Sequence, residues 1–143
     1  LVAAGMLEDS VARERLAAVD ARLEEAARWA AAALADGGLR GRRVVSSAHQ
    51  AALCRALGLE VVSTFGAAEL AAPRGMETVI KAGEGAVLVI ANKPEGRSLA
   101  DVLADRLGAP VVVLDNFPDV AHHGLSFDGL FRDNVAKLLA ARP

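Results

Sequence analysis

Residues 43–64 read RVVSSAHQAALCRALGLEVVST, and this stretch decides the fold. Two runs rich in β-branched residues, Arg43–Ser46 and Leu59–Thr64, enclose the stretch Gln50–Leu57, whose spacing is helical and which ends at Gly58. A strand, a helix and a second strand in this order form a β-α-β unit, whose strands are parallel and whose crossover is right-handed. The sequence therefore predicts a parallel sheet from this point onward.

The same alternation continues towards the end of the chain. Further strands are predicted at Ala86–Ala91 and Pro110–Leu114, and further helices at about 74–82, at Ser98–Leu107 and at about 126–141. The predicted buried side of the last helix consists of Phe127, Leu130, Phe131, Val135, Leu138 and Leu139. Because parallel sheets are covered by helices, we expect an α/β fold with a four-stranded parallel sheet and helices on both faces.

A long amphipathic helix is predicted before the sheet, from Ser10 to Asp36. Its apolar residues recur at steps of three and four, Asp9 or Ser10 is able to cap its start, and Gly37-Gly38 ends it. We therefore expect an irregular segment over residues 1–9, a long helix over 10–38 and an α/β unit over 39–143. Together they form a single compact domain.

Composition excludes several classes of protein. The 143 residues carry a net charge of −2, are 53% hydrophobic and are only 3% aromatic, so a nucleic-acid-binding surface is disfavoured. No apolar run approaches the roughly 18 residues that a membrane span needs. Cys54 is the single cysteine and is predicted to be a small buried hydrophobe on a helix. Trp29 is predicted to pack in the core.

Ligands of open parallel sheets bind beyond the carboxyl ends of the strands, so chemistry is expected there. The turn after the first strand lacks a glycine-rich phosphate-binding motif, and no nucleophile elbow occurs in the chain. His49 follows the first strand and Asp115 follows the last. An imidazole and a carboxylate at one edge suit a divalent transition metal such as zinc or manganese, and the two residues make half of a site.

Two alternatives use other residues near this edge. His122 and His123 lie in the loop before the last helix and are further candidate ligands. Without a metal, Asn92, Lys93 and Asn116 would instead hold a small organic ligand or a protein partner.

Four segments carry a resemblance to a known family. They are VVSSAH at Val44–His49, AALCRALGLEVV at Ala51–Val62, LADRLGAPVVVLDNFP at Leu103–Pro118 and FRDNVAKLLAA at Phe131–Ala141. Together with the long helix, they resemble the carboxyl-terminal lobe of the solute-binding proteins of zinc and manganese ABC importers, and the helix that links the two lobes. The resemblance implies that His49 and Asp115 ligate metal.

The resemblance also implies partners and a location. It implies an extracytoplasmic protein, not an enzyme, that delivers zinc or manganese to an ABC permease in the membrane, and His49 favours zinc. Members of the family have an amino-terminal lobe that supplies two further ligands, and nothing here corresponds to it. We therefore expect either part of a longer chain or a relative with one lobe. Apolar surface near Leu16, Leu23 and Trp29 is then expected to be exposed and to favour self-association.

Overall fold

Helices and strands alternate along the residues that the computed structural model describes, which are 9–67, 73–118, 121 and 126–142. In chain order they are α1 (Asp9–Asp36), β1 (Arg43–Ser47), α2 (Ala51–Ala56), β2 (Glu60–Phe65), α3 (Pro73–Ala82), β3 (Leu88–Asn92), a 3-10 turn (Lys93–Glu95), α4 (Ser98–Leu107), β4 (Val111–Leu114) and α5 (Phe127–Ala140). Each predicted strand is present within two residues of its expected ends. The 3-10 turn after β3 was not predicted.

The four strands form one sheet in the order β2-β1-β3-β4, and every neighbouring pair is parallel. The chain therefore moves outward from β1 to β2, crosses back to β3 on the other side of β1, and continues outward to β4. Glycines at the predicted helix ends support these connections. Gly108, for example, has φ +65° and ends α4 in the left-handed conformation. The predicted fold class is confirmed.

Helices cover both faces of the sheet, and each face has its own apolar core. Val44 and Val45 are neighbours in β1, are both fully buried, and point to opposite faces. The first face is covered by α1, α2 and α5, and its core includes Ala30, Leu34, Cys54, Leu88, Ile90, Leu114, Val135 and Leu138. The second face is covered by α3 and α4, and its core includes Phe65, Val79, Val89, Ala91, Ala100 and Leu103.

Helix α1 is already helical at Asp9, where the described residues begin, and only its second half packs on the sheet. Its buried residues are Ala26, Ala30 and Leu34. Trp29 is half-buried against this core, and the Arg132 guanidinium of α5 lies 4.4 Å from the centre of its ring. In the described ranges, no helix is both long and apolar enough to cross a membrane.

The apolar stripe of α1 extends beyond the core. Leu16, Val19 and Leu23 continue the stripe but are exposed, as expected for Leu16 and Leu23. The prediction for α5 was wrong at one position, because Phe127 is 51% exposed, whereas Leu130, Val135 and Leu138 are buried. Phe127 is the first residue of α5. Helical spacing gives the direction of a side chain but does not show where the packed surface ends, so it placed Phe127 in the core.

Candidate functional site

The strand order determines where the loops of the sheet meet. The connections leave β1 and β3 in opposite directions, so a topological switch point lies between these two strands, where ligands of such sheets bind. The segment after β1 contains His49, the segment after β3 is the 3-10 turn Lys93–Glu95, and Asp115 directly follows β4. All three segments lie at the same edge of the sheet.

His49 lies in the turn that connects β1 to α2, and its side chain is 67% exposed. Its Nε2 is 3.4 Å from Oε1 of Glu95, across the switch point. Ser47, at the buried end of β1, fixes both partners: its hydroxyl donates to Oε2 of Glu95 at 2.6 Å and accepts from the His49 backbone N–H at 3.3 Å. A carboxylate is thereby held next to an accessible imidazole.

Asp115 is a buried carboxylate at this edge, with a side chain only 6% exposed. Its two oxygens contact ammonium groups from different elements: Oδ1 is 2.7 Å from Lys93 Nζ, and Oδ2 is 2.7 Å from Lys137 Nζ on α5. Burial alone would raise the pKa of the Asp115 carboxyl, but the hydrogen bonds and charges of Lys137 and Lys93 outweigh it and lower the pKa below its ordinary value. Asp115 is therefore an ionised carboxylate.

The backbone of Asp115 is fixed by Asn134 of α5. The Asn134 side-chain oxygen accepts from the Asp115 N–H, and the side-chain nitrogen donates to the Asp115 carbonyl, both at 2.9 Å. Asn134 is buried, so these bonds satisfy polar groups that water does not reach. They place the carboxylate at the end of β4 at a defined position.

A second set of amides connects the three segments of the edge. The buried Gln50, directly after His49, donates from Nε2 to Oδ1 of Asn92 at 3.1 Å and also to Oδ1 of Asn116. This side chain links the ends of β1, β3 and β4, so the polar edge is preorganised by hydrogen bonds.

His49 and Asp115 line one cavity of about 290 Å³. Its wall also includes Gln50, Leu53, Asn116, Phe117, Phe127, Leu130, Phe131 and Asn134. The structure therefore brings the two proposed ligands to a common cavity. Among the residues described, His, Cys, Asp and Glu do not form a group of three or more that could hold a metal ion.

Several candidates from the sequence have other positions. Asn92 is buried and its Oδ1 accepts a hydrogen bond from Gln50, and the Lys93 ammonium contacts Asp115, so both polar groups already have partners within the protein. His122 and His123 lie outside the described residues. Cys54 is fully buried, as predicted, and burial raises the pKa of its thiol to about 11.

Glu95 and Lys137 were missed by the sequence analysis, for different reasons. Glu95 belongs to the segment after β3, where the sequence analysis singled out only Asn92 and Lys93. Lys137 contacts Asp115 across 22 residues of sequence. It lies three residues after Asn134, and so on a neighbouring part of the helix surface, which is a weak signal.

Comparison with solved structures finds this fold in other proteins. The crystal structure of ZnuA matches with a TM-score of 0.65 at 17% identity, over 90% of this chain and 49% of that chain. The solute-binding protein FpvC from Pseudomonas aeruginosa, in complex with Mn²⁺, matches with a TM-score of 0.63 at 17% identity, over 87% and 48%. A Mn-bound mutant of the periplasmic metal-binding protein from Candidatus Liberibacter asiaticus matches with a TM-score of 0.64 at 13% identity, over 83% and 47%.

These likenesses concern the fold and a part of each protein. The chain spans about half the length of the solved structures it matches. Neither a family model nor a curated protein sequence matches the chain. The fold is thus one that occurs in periplasmic metal-binding and solute-binding proteins.

Proposed function

We propose that this chain is the carboxyl-terminal lobe, with its linking helix, of a solute-binding protein that captures zinc or manganese outside the cytoplasm and delivers it to an ABC permease. The observation that carries the proposal is the common cavity of His49 and Asp115 at the switch-point edge. The Mn-bound proteins that share the fold support a divalent metal as the cargo.

The two proposed ligands have complementary roles. His49 supplies a neutral ring nitrogen from an exposed turn, and Asp115 supplies a carboxylate oxygen at the end of β4. Glu95 lies beside the imidazole, with its Oε1 3.4 Å from Nε2, and orients the ring as carboxylates do for metal-bound histidines. Imidazole favours zinc over manganese, which prefers oxygen ligands.

The site is completed by a second lobe in this proposal. His49 and Asp115 provide two ligands, whereas zinc takes four. The exposed stripe of Leu16, Val19 and Leu23 on α1 is the apolar surface against which such a lobe would pack. The protein binds and releases its cargo and catalyses no reaction.

A second candidate function is the binding of a small organic molecule in the same cavity. The aromatic residues Phe117, Phe127 and Phe131 in its wall favour this alternative, as does its volume of about 290 Å³. In that case His49 contributes one hydrogen-bonding group to the cavity wall, and its loss weakens binding of the organic ligand without any metal being involved.

Calorimetric titration of zinc and of manganese into the metal-free protein tests the proposal. We expect saturable zinc binding that is lost in His49→Ala and in Asp115→Asn. Asp105→Asn is the matched control, because it removes an exposed carboxylate of α4, which contributes no residue to the cavity wall. Absence of binding in the unaltered protein, or binding that both site variants retain, contradicts the proposal.

A further inference from the structure

Lysine is rare in this chain, and its distribution is uneven. The sequence contains three lysines, Lys81, Lys93 and Lys137. Two of them converge on one buried carboxylate, since Lys93 Nζ and Lys137 Nζ each lie 2.7 Å from a different oxygen of Asp115. Lys93 belongs to the turn that follows β3, before β4 in the chain, and Lys137 belongs to the helix α5, after β4.

An ammonium on each oxygen conflicts with metal binding. Each Asp115 oxygen already accepts from an ammonium group, which leaves about one lone pair on each oxygen for a further cation. A divalent ion at Asp115 would also lie within a few ångströms of two positive charges, in a partly buried site where repulsion is weakly screened. Metal and lysine therefore compete for the same carboxylate.

We infer that Lys93 and Lys137 form an internal cation clamp, which occupies Asp115 until a divalent cation displaces it and thereby sets the metal affinity of the site. The inference rests on the proposed function, because it concerns the same carboxylate. On loading, the metal ion replaces the two ammonium groups at Asp115, so the carboxylate stays ionised and paired before and after loading.

Each lysine has another favourable environment for its ammonium group once it leaves Asp115. Lys137 Nζ also lies 2.6 Å from Oδ2 of Asp133, one helical turn earlier on α5, so it keeps an ion pair when it leaves Asp115. The Lys93 side chain is 57% exposed, so water is able to solvate its ammonium group when it leaves Asp115. Asp133 is therefore a positioning residue that leaves Lys137 paired when the clamp opens.

Zinc titration of lysine variants tests the clamp. We expect Lys93→Met and Lys137→Met each to tighten zinc binding several-fold, and the double variant to tighten it by on the order of tenfold or more. Lys81→Met combined with Arg106→Met removes two exposed positive charges from α3 and α4, outside the cavity wall. We expect this matched control to bind zinc as the unaltered protein does.

A second variant separates the clamp from a general effect of charge. Asp133→Asn takes away the alternative partner of Lys137, so we expect it to weaken zinc binding in the otherwise unaltered protein. In the Lys137→Met background the same change is expected to have little effect, because no ammonium remains to be redirected. Equal weakening in both backgrounds contradicts the inference. Thermal unfolding of each variant checks that it is folded.

The outcomes distinguish the clamp from the proposed function. Zinc binding in the double variant but not in the unaltered protein supports the clamp and contradicts the proposed function. Zinc binding in the unaltered protein that the lysine variants leave unchanged or weaken overturns the clamp and leaves the function standing. Absence of binding in every variant contradicts both.

Discussion

Asn134 holds Asp115 by both backbone groups, with its oxygen on the Asp115 N–H and its nitrogen on the Asp115 carbonyl, each at 2.9 Å. This pairing joins α5 to the end of β4 and fixes the carboxylate that the proposed metal site needs. It also satisfies the backbone N–H and carbonyl of Asp115 at a place where both Asn134 and Asp115 are buried. Stability and the geometry of the site thus depend on the same side chain.

We predict that Asn134→Ala destabilises the fold by about 2 to 4 kcal/mol, because it leaves the Asp115 N–H and carbonyl buried without partners. The measurement is the free energy of unfolding in urea. Thr78→Ala is the control, since its hydroxyl bonds an exposed carbonyl of its own helix and its loss should cost less than about 0.5 kcal/mol. A cost for Asn134→Ala as small as that of the control would contradict the structural role.

The pairing of Asp115 with two lysines predicts a loss of stability in acid. The pKa of Asp115 is lower in the folded than in the unfolded chain, so the unfolded state takes up the proton first. The contribution of the Asp115 ion pairs to the free energy of unfolding is complete above the ordinary pKa of an aspartate, about 4, and disappears as the pH falls through the pKa in the folded state. Urea unfolding between pH 7 and pH 2.5 measures it.

In Asp115→Asn this part of the acid-induced loss should be absent, so the unfolding free energy should depend less on pH between those limits. Asp105→Asn, which removes an exposed carboxylate, should keep the pH dependence of the unaltered protein. Identical pH dependence in all three proteins would show that the lysines do not hold Asp115 ionised.

Cys54 should be inert in the folded protein. Its side chain is fully buried against the first core, and burial raises the pKa of the thiol to about 11, so little thiolate forms at pH 8. We expect a thiol reagent to modify it very slowly in buffer and rapidly in urea, with the rate following the unfolding transition. Rapid modification under native conditions would contradict the burial of α2.

The exposed apolar stripe of α1 should cause self-association in the absence of a covering lobe. Leu23 and Phe127 line a common depression of about 170 Å³, and Leu16 and Val19 extend the apolar surface along the helix. We expect the mass measured by light scattering to rise with protein concentration, and Leu16→Glu with Leu23→Glu to keep the protein monomeric. A monomer at high concentration without these changes would contradict this expectation.

The sequence predicted the elements well because local signals mark them. The helix α4 was predicted at its observed ends, Ser98 and Leu107, where helical spacing ends at Gly108. The four strands are short, β-branched runs between turn residues, and such runs are visible in any single window of sequence. His49 and Asp115 could be singled out because both follow strands.

Contacts between distant segments could not be predicted. The pairing of Lys137 with Asp115 depends on where α5 crosses β4, and the contact of His49 with Glu95 depends on β1 lying beside β3. Neither follows from spacing along the chain. Helical periodicity also placed Phe127 in the core, since it gives the direction of a side chain but not where the packed surface ends.

A crystal structure of the zinc-loaded protein, with anomalous diffraction measured at the zinc edge, tests whether His49 and Asp115 hold the metal. We predict an anomalous peak in the cavity at the sheet edge, about 2.0 to 2.2 Å from an Asp115 carboxylate oxygen and a His49 ring nitrogen, with the Lys93 and Lys137 ammonium groups withdrawn from Asp115. A structure without zinc at this edge, in which both lysines still contact Asp115, would contradict this prediction.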